Sequence, residues 1–201
     1  MHLILASTSK YRKALLARVG IEADTMRPNY DELPFAGRSP RELVRMHGHG
    51  KALAVVEELA ARQAQDELVD TYVIGSDQGL IFEDKLVGKP GSVENAVAQL
   101  MAFQKRSCDL VTSLCVINAA TRHEWNHLDT TTLCFADLTE AEIRNYVDYD
   151  MPLDCAGSFK IESRGPELFE AIHTKDPTAI EGLPLMALCA ILRDIRIKTF
   201  E

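Results

Sequence analysis

Between Thr71 and Pro90 the chain reads TYVIGSDQGLIFEDKLVGKP, and this stretch constrains the fold most because its β-formers are interrupted only by glycines and turn residues. Tyr72-Val73-Ile74 is a strand candidate, Gly75 and Gly79 bracket Ser76-Asp77-Gln78, and Leu80-Ile81-Phe82 resumes strand character. Glu83-Asp84-Lys85 can then turn the chain before Leu86-Val87. The expectation is a hairpin with a polar strand end, with Asp77 just past the first strand and Lys89 after the second. A carboxylate so placed can hold Mg²⁺ or take a proton from water, and a lysine can neutralise phosphate oxygens. A turn aspartate and a solvated lysine fit the same residues.

The rest of the chain alternates strand and helix signals. Leu3-Ile4-Leu5-Ala6 reads as a short buried strand, Ser7-Thr8-Ser9 as a hydroxyl-rich turn, and Tyr11 to Val19 as a helix stopped by Gly20. Such a loop can offer hydroxyls and helix N–H groups to an anion, with Arg12 close by; simple N-capping by Ser or Thr explains it equally. A strand from Glu22 to Arg27 and a loop from Pro28 to Pro34, carrying Asp31 and Glu32, come next. Ser39-Pro40-Arg41-Glu42 opens a long helix towards Arg62, in which Gly48 and Gly50 predict a kink or a close backbone approach near Lys51. His47 and His49 sit about 200° apart on that helix, which suits surface positions better than joint metal ligation.

Gln63 to Asp70 reads as a linker, and Ser92 caps a helix to Phe103. Strands are expected over Leu110 to Asn118 and between Glu124 and Phe135, and a helix from Thr139 to about Tyr149. Asp154 to Gly165 is irregular, and helical stretches are expected over Pro166 to His173 and Leu183 to Ile195.

The chain's 201 residues suit one domain, or two small lobes sharing one core, without disulfide staples. No apolar run approaches the roughly 20 residues that span a bilayer, and no secretory leader pattern is present, so a cytoplasmic protein without membrane partners is expected. The five cysteines show no CxxC spacing and read as buried free thiols. A formal charge of −8 argues against a nucleic-acid polymer as partner, but a small phosphorylated ligand needs only a few local cations.

Ser7, Ser9 and Arg12, then Glu32, Lys51, Asp77 and Lys89, alternate anion binders with metal-binding acids, a mixture that suits a polyphosphate carried with a divalent ion. There is no P-loop, Rossmann fingerprint, nucleophile elbow or HExxH. With LILASTS followed by Arg12, the Asp31-Glu32 loop, Lys51-Ala52, GSDQ at 75–78, GKP at 88–90 and GLPL at 182–185, the chain resembles the Maf nucleotide pyrophosphatases over nearly its whole length.

That resemblance implies an α/β fold, a mixed β-sheet flanked by helices in the ITPase-like manner, with two lobes and a central cleft forming one domain over 1–201. It implies hydrolysis of nucleoside triphosphates between the α and β phosphates with Mg²⁺ or Mn²⁺, and a homodimer. It assigns Asp77 as catalytic, Glu32 and Asp77 as metal ligands, and Ser7, Ser9, Arg12, Lys51 and Lys89 as substrate-binding. Gln78, with CAGSF at 155–159 and Glu162, is similar to the 7-methyl-GTP branch; a dTTP/UTP pyrophosphatase would typically have Thr after the aspartate and a glutamine in the later loop. A carboxylate at Glu162 and the face of Tyr11 suit a cationic methylated guanine. The chain departs from the family at Lys10, where Pro is common, at His47-Gly48-His49-Gly50, and at Ser113, where Gly is typical. A non-catalytic nucleotide-binding regulator and a division-linked interaction protein are the readings from other classes.

Overall fold

The computed structural model describes residues 2–32 and 37–195. Leu33 and Pro34, the end of the expected acidic loop, lie outside the described residues. Seven strands among the described residues form one mixed sheet: β1 (His2–Leu5), β2 (Asp24–Thr25), β3 (Thr71–Phe82), β4 (Lys85–Val87), β5 (Ser107–Asn118), β6 (Glu124–Phe135) and β7 (Phe169–His173). Their order is β2-β1-β3-β5-β6-β7, with β4 beside β3. β1 pairs parallel with both β2 and β3, while β3–β4 and β6–β7 are antiparallel. Among the described residues five α-helices accompany them: α1 (Lys10–Arg18), α2 (Pro40–Ala60), α3 (Val93–Phe103), α4 (Glu140–Asp150) and α5 (Leu185–Asp194). None of the described helices is long and apolar enough to cross a membrane.

The chain divides into two compact units. The first comprises the residues up to 78, 112–129 and those from 176 on. Its core follows from strand alternation: Leu3 and Leu5 join Ile74, Leu114 and Val116 under α1 and α5, whereas Ile4 and Ala6 join Val73, Cys115 and Ile117 under α2. Both faces of this part of the sheet are therefore covered, which is why β1 reads as a continuous apolar run rather than an alternating one. The second unit, 79–111 and 130–175, holds β4, β7, α3 and α4. Phe82, Phe103, Phe135, Phe169 and Phe159 form a succession of edge-on and tilted ring contacts in it, with centroids 4.8–5.3 Å apart.

The capping signals act as read. Ser39 and Thr139 each close a full capping box with Glu42 and Glu142, and Ser92 accepts from Asn95 N. Three expectations change. The strand expected over Glu22 to Arg27 is only Asp24–Thr25. Pro166 to His173 is not a helix: a 3₁₀ turn over Gly165–Leu168 leads into β7, whose Phe169, Ala171, Ile172 and His173 pair with β6. And β3 runs unbroken through Gly75 to Gly79, so Asp77 sits in the middle of a strand and not beyond its end.

Candidate active site

The first cluster is built on the loop before α1, within the first unit. Ser9 caps the helix, its Oγ accepting from Arg12 N at 3.4 Å. Buried Ser7 Oγ accepts from Ser9 N at 3.1 Å and from Arg12 Nη1 at 3.3 Å. Both acceptor positions of that hydroxyl are thus used, and its O–H remains to donate. Arg12 Nε donates to the Gly182 carbonyl at 2.8 Å, and the same oxygen accepts from Ser76 Oγ at 2.9 Å. Gly182 has φ 105°, a backbone setting that only glycine adopts without strain, so the GLPL glycine is what turns this carbonyl to Arg12 and Ser76. Burial lowers the pKa of Arg12 from the ordinary guanidinium value, opposed by the charges of Asp77 and then Glu32.

Lys51 Nζ lies 2.6 Å from Asp77 Oδ1 and 2.5 Å from Glu32 Oε1. The Lys51 and Asp77 side chains are only 14% and 13% exposed, so this is an enclosed pair; Glu32, at 53%, reaches it from the solvent side. A glycine seam brings α2 and β3 this close. A Cβ on Gly75 would stand 2.3 Å from Gly48 O and 2.8 Å from Ala52 N, and one on Gly48 would stand 2.2 Å from Ser113 Oγ. Ser113 Oγ fills that gap, accepting from Asp77 N at 3.1 Å and donating to Val44 O at 2.9 Å. On the other side of the helix seam a Cβ on Gly50 would stand 2.2 Å from the Tyr30 ring. Tyr30 OH in turn meets His47 Nδ1 at 3.0 Å. Desolvation, then Asp77 and Glu32, raise the pKa of Tyr30, which places the phenol in the same electrostatic field.

Gly48 and Gly50 therefore mark a close backbone approach along an α2 that continues from Pro40 to Ala60. His47 is not a surface residue: it is 8% exposed and turned to Tyr30. Tyr30, Ser113 and Gly182 belong to the cluster but were not marked as functional by their sequence context. The departure at Ser113, the helix-interior glycines and the GLPL motif at 182–185 are the signals that point to them.

Gln78 points its amide at the chain itself. Nε2 donates to Thr112 Oγ1 at 2.9 Å, Ala179 O at 2.8 Å and Ile180 O at 3.1 Å, tying β3 to the turn that ends at Gly182. Tyr11, on α1, carries Lys10 Nζ 5.1 Å from its ring centroid. Lys89 and Glu162 belong to the second unit, where both are exposed. The cations beside Glu162 are engaged elsewhere: Lys160 Nζ donates to Asp150 O at 2.7 Å, and Arg164 pairs with Glu167 at 2.8 Å. Among the described residues neither Lys89 nor Glu162 has an ion pair.

A mixed sheet carrying an enclosed carboxylate, lysine and arginine cluster defines an α/β protein with a site suited to a phosphorylated ligand. The family model "Maf-like protein" matches residues 2–195, and the chain belongs to that family. Among its relatives is a "7-methyl-GTP pyrophosphatase" of Xanthomonas oryzae pv. oryzae, 43% identical over 192 residues, covering 96% of this chain and 95% of that one. Proteins of the same name from Chromohalobacter salexigens and Burkholderia orbicola are 38% and 42% identical, covering 96% and 95% of this chain and 95% and 88% of their own.

Proposed function

We propose that the protein hydrolyses nucleoside triphosphates between the α and β phosphates, releasing a nucleoside monophosphate and pyrophosphate, with 7-methyl-GTP as its preferred substrate. The observation that carries this reading is the convergence of Asp77 and Glu32 on one cation, Lys51 Nζ, beside Arg12. The names of relatives that match nearly the whole chain support it. Two hard oxygen donors meeting at one positive centre also fit Mg²⁺ or Mn²⁺, and Asp77 and Glu32 would hold it. When bound, such an ion would supply positive charge that offsets the charge of the departing pyrophosphate.

The chain's own groups do the rest. Asp77 accepts a proton from water as that water attacks the α-phosphorus; the bond to the α–β bridging oxygen breaks, and pyrophosphate leaves with the electron pair. Lys51 turns from the carboxylates to the phosphate oxygens, and Arg12 holds them beside it with its fork fixed by Gly182 and Ser7. The Ser7 hydroxyl donates, and Ser9 acts by capping the helix that carries Arg12. Lys89 is assigned to the phosphates and Glu162 to the base on their motifs and on the lack of competing ion pairs. An uncommitted carboxylate favours N7-methylguanine, which is cationic, over guanine, and Tyr11 adds an aromatic face. Gln78 contributes to base selection by fixing the 179–182 turn.

A reducing cytoplasm suits five free thiols, three of them buried, and a homodimer is the expected assembly. The test is pyrophosphate release from a panel of 7-methyl-GTP, GTP, dTTP and UTP with Mg²⁺, Mn²⁺ or chelator. Preference for 7-methyl-GTP with loss under chelation is expected. A preference for dTTP or UTP would overturn the substrate, and binding without hydrolysis of any of them would make the protein a regulator.

A further inference from the structure

One residue beyond Gly48, α2 carries His49, a member of a group of ligating side chains that the proposed hydrolysis does not use. His49 Nε2 on α2 and Glu124 Oε1 on β6 stand 2.9 Å apart, each side chain about one-third exposed at 34% and 35%. Behind them is Cys115 on β5, 1% exposed, and one ligating atom from each of the three lies within 4.8 Å of the other two. The Cys115 thiol has no hydrogen-bond partner among the described residues, although it is fully enclosed and faces the Glu124 carboxylate, whose charge acts on it. All three belong to the first unit.

We propose that His49, Cys115 and Glu124 form a second cation site, separate from Asp77 and Glu32, that takes a borderline-soft divalent ion such as Zn²⁺. The donor set is one imidazole nitrogen, one thiolate sulfur and one carboxylate oxygen, the mixture that zinc accepts and magnesium does not. A tetrahedral ion needs donor separations of about 3.3–3.6 Å. The His49–Glu124 pair then opens by roughly half an ångström, and the thiol closes by no more than about 1.5 Å. Charges balance: neutral imidazole, thiolate and carboxylate offset a divalent ion, so the enclosed sulfur can ionise without leaving net charge in the core. Binding releases the thiol proton to solvent, and the fourth position, on the exposed side, takes water. The ion would tie α2, which carries Lys51, to β5 and β6.

The test uses the full chain stripped of metal, titrated with Zn²⁺ by calorimetry and with Co²⁺ by absorption. We expect one equivalent of Co²⁺ to give a thiolate-to-cobalt charge-transfer band, with affinity that rises with pH and a higher Tm with metal. Cys115→Ser, His49→Gln and Glu124→Gln should each weaken binding by at least about tenfold, while Asp77→Asn leaves it unchanged. Cys115→Ser keeps the shape of the side chain, so loss of the band with wild-type circular dichroism separates ligation from folding. Absence of the band, or binding that survives Cys115→Ser and is lost in Asp77→Asn, would overturn the proposal. None of these readouts depends on turnover.

Discussion

Replacing Gly48 by alanine sets two predictions of opposite sign against each other. As a substitution in a helix interior it gains about 0.8–1 kcal/mol in propensity. In this fold the new methyl stands 2.2 Å from Ser113 Oγ and 3.2 Å from both Ser113 Cβ and Asp77 N. The hydroxyl must leave a seat in which it accepts from Asp77 N and donates to Val44 O. Overpacking of this kind costs about 1–3 kcal/mol. An Asp77 N–H left without a partner adds about 1–3 kcal/mol. After subtracting the propensity gain, Gly48→Ala should destabilise by about 1–5 kcal/mol. Urea unfolding followed by far-ultraviolet circular dichroism reads this as a lower midpoint at unchanged m. The gap and the hydroxyl that fills it should also compensate: Ser113→Gly in the Gly48→Ala background removes the clash, with a coupling of about 1–3 kcal/mol. kcat should fall with the single variant, because Asp77 shifts, and recover in part with the pair. A Gly48→Ala protein as stable as wild type, or a double variant no better than the single, would refute the seam as the device that sets Asp77.

Other outcomes follow from the same geometry. Lys10→Ala removes the ammonium over Tyr11, and should lower KM for 7-methyl-GTP relative to GTP; an unchanged ratio in a substrate competition assay would exclude that ring face from base recognition. Gln78→Leu leaves Ile180 O without its donor and should cost about 1–3 kcal/mol in stability while lowering kcat through the Gly182 carbonyl, read by urea melts beside pyrophosphate release. The His49 hydrogen bond lowers the pKa of Glu124, so the stabilisation is present above the ordinary carboxylate pKa and is lost as pH falls through the lowered one; between roughly pH 5 and 3 Glu124→Gln should flatten the decline of Tm. Burial pushes the Cys108 and Cys115 thiols up to about 12, so in the metal-free protein at pH about 8 both should resist a thiol reagent until urea unfolds the chain.

Local signals were legible in the sequence, and long-range ones were not. Ser39 with Glu42, and Thr139 with Glu142, announce helix starts because both partners of the capping box lie within three residues. β7 was hidden because its reason to be extended is pairing with β6, more than 30 residues upstream, and a proline-led turn at its start reads as a helix beginning. Asp77 was placed beyond a strand because Gly75 and Gly79 look like turn punctuation. Gly75 is instead the thin point where α2 rests on β3. The charged members of the cluster, Arg12, Glu32, Lys51 and Asp77, came from motif order. What positions them, Ser113 filling the space over Gly48 and Tyr30 filling that over Gly50, depends on side chains meeting across the fold.

The central claim is that Asp77, in its cluster with Lys51 and Glu32, drives cleavage between the α and β phosphates. The most direct measurement is product analysis of 7-methyl-GTP turnover with Mg²⁺ by wild type and by Asp77→Asn, each checked for folding by circular dichroism. The account predicts 7-methyl-GMP and pyrophosphate in equal amounts from wild type, and no turnover from a folded Asp77→Asn. Release of inorganic phosphate with 7-methyl-GDP, or pyrophosphate release by Asp77→Asn at the wild-type rate, would contradict it.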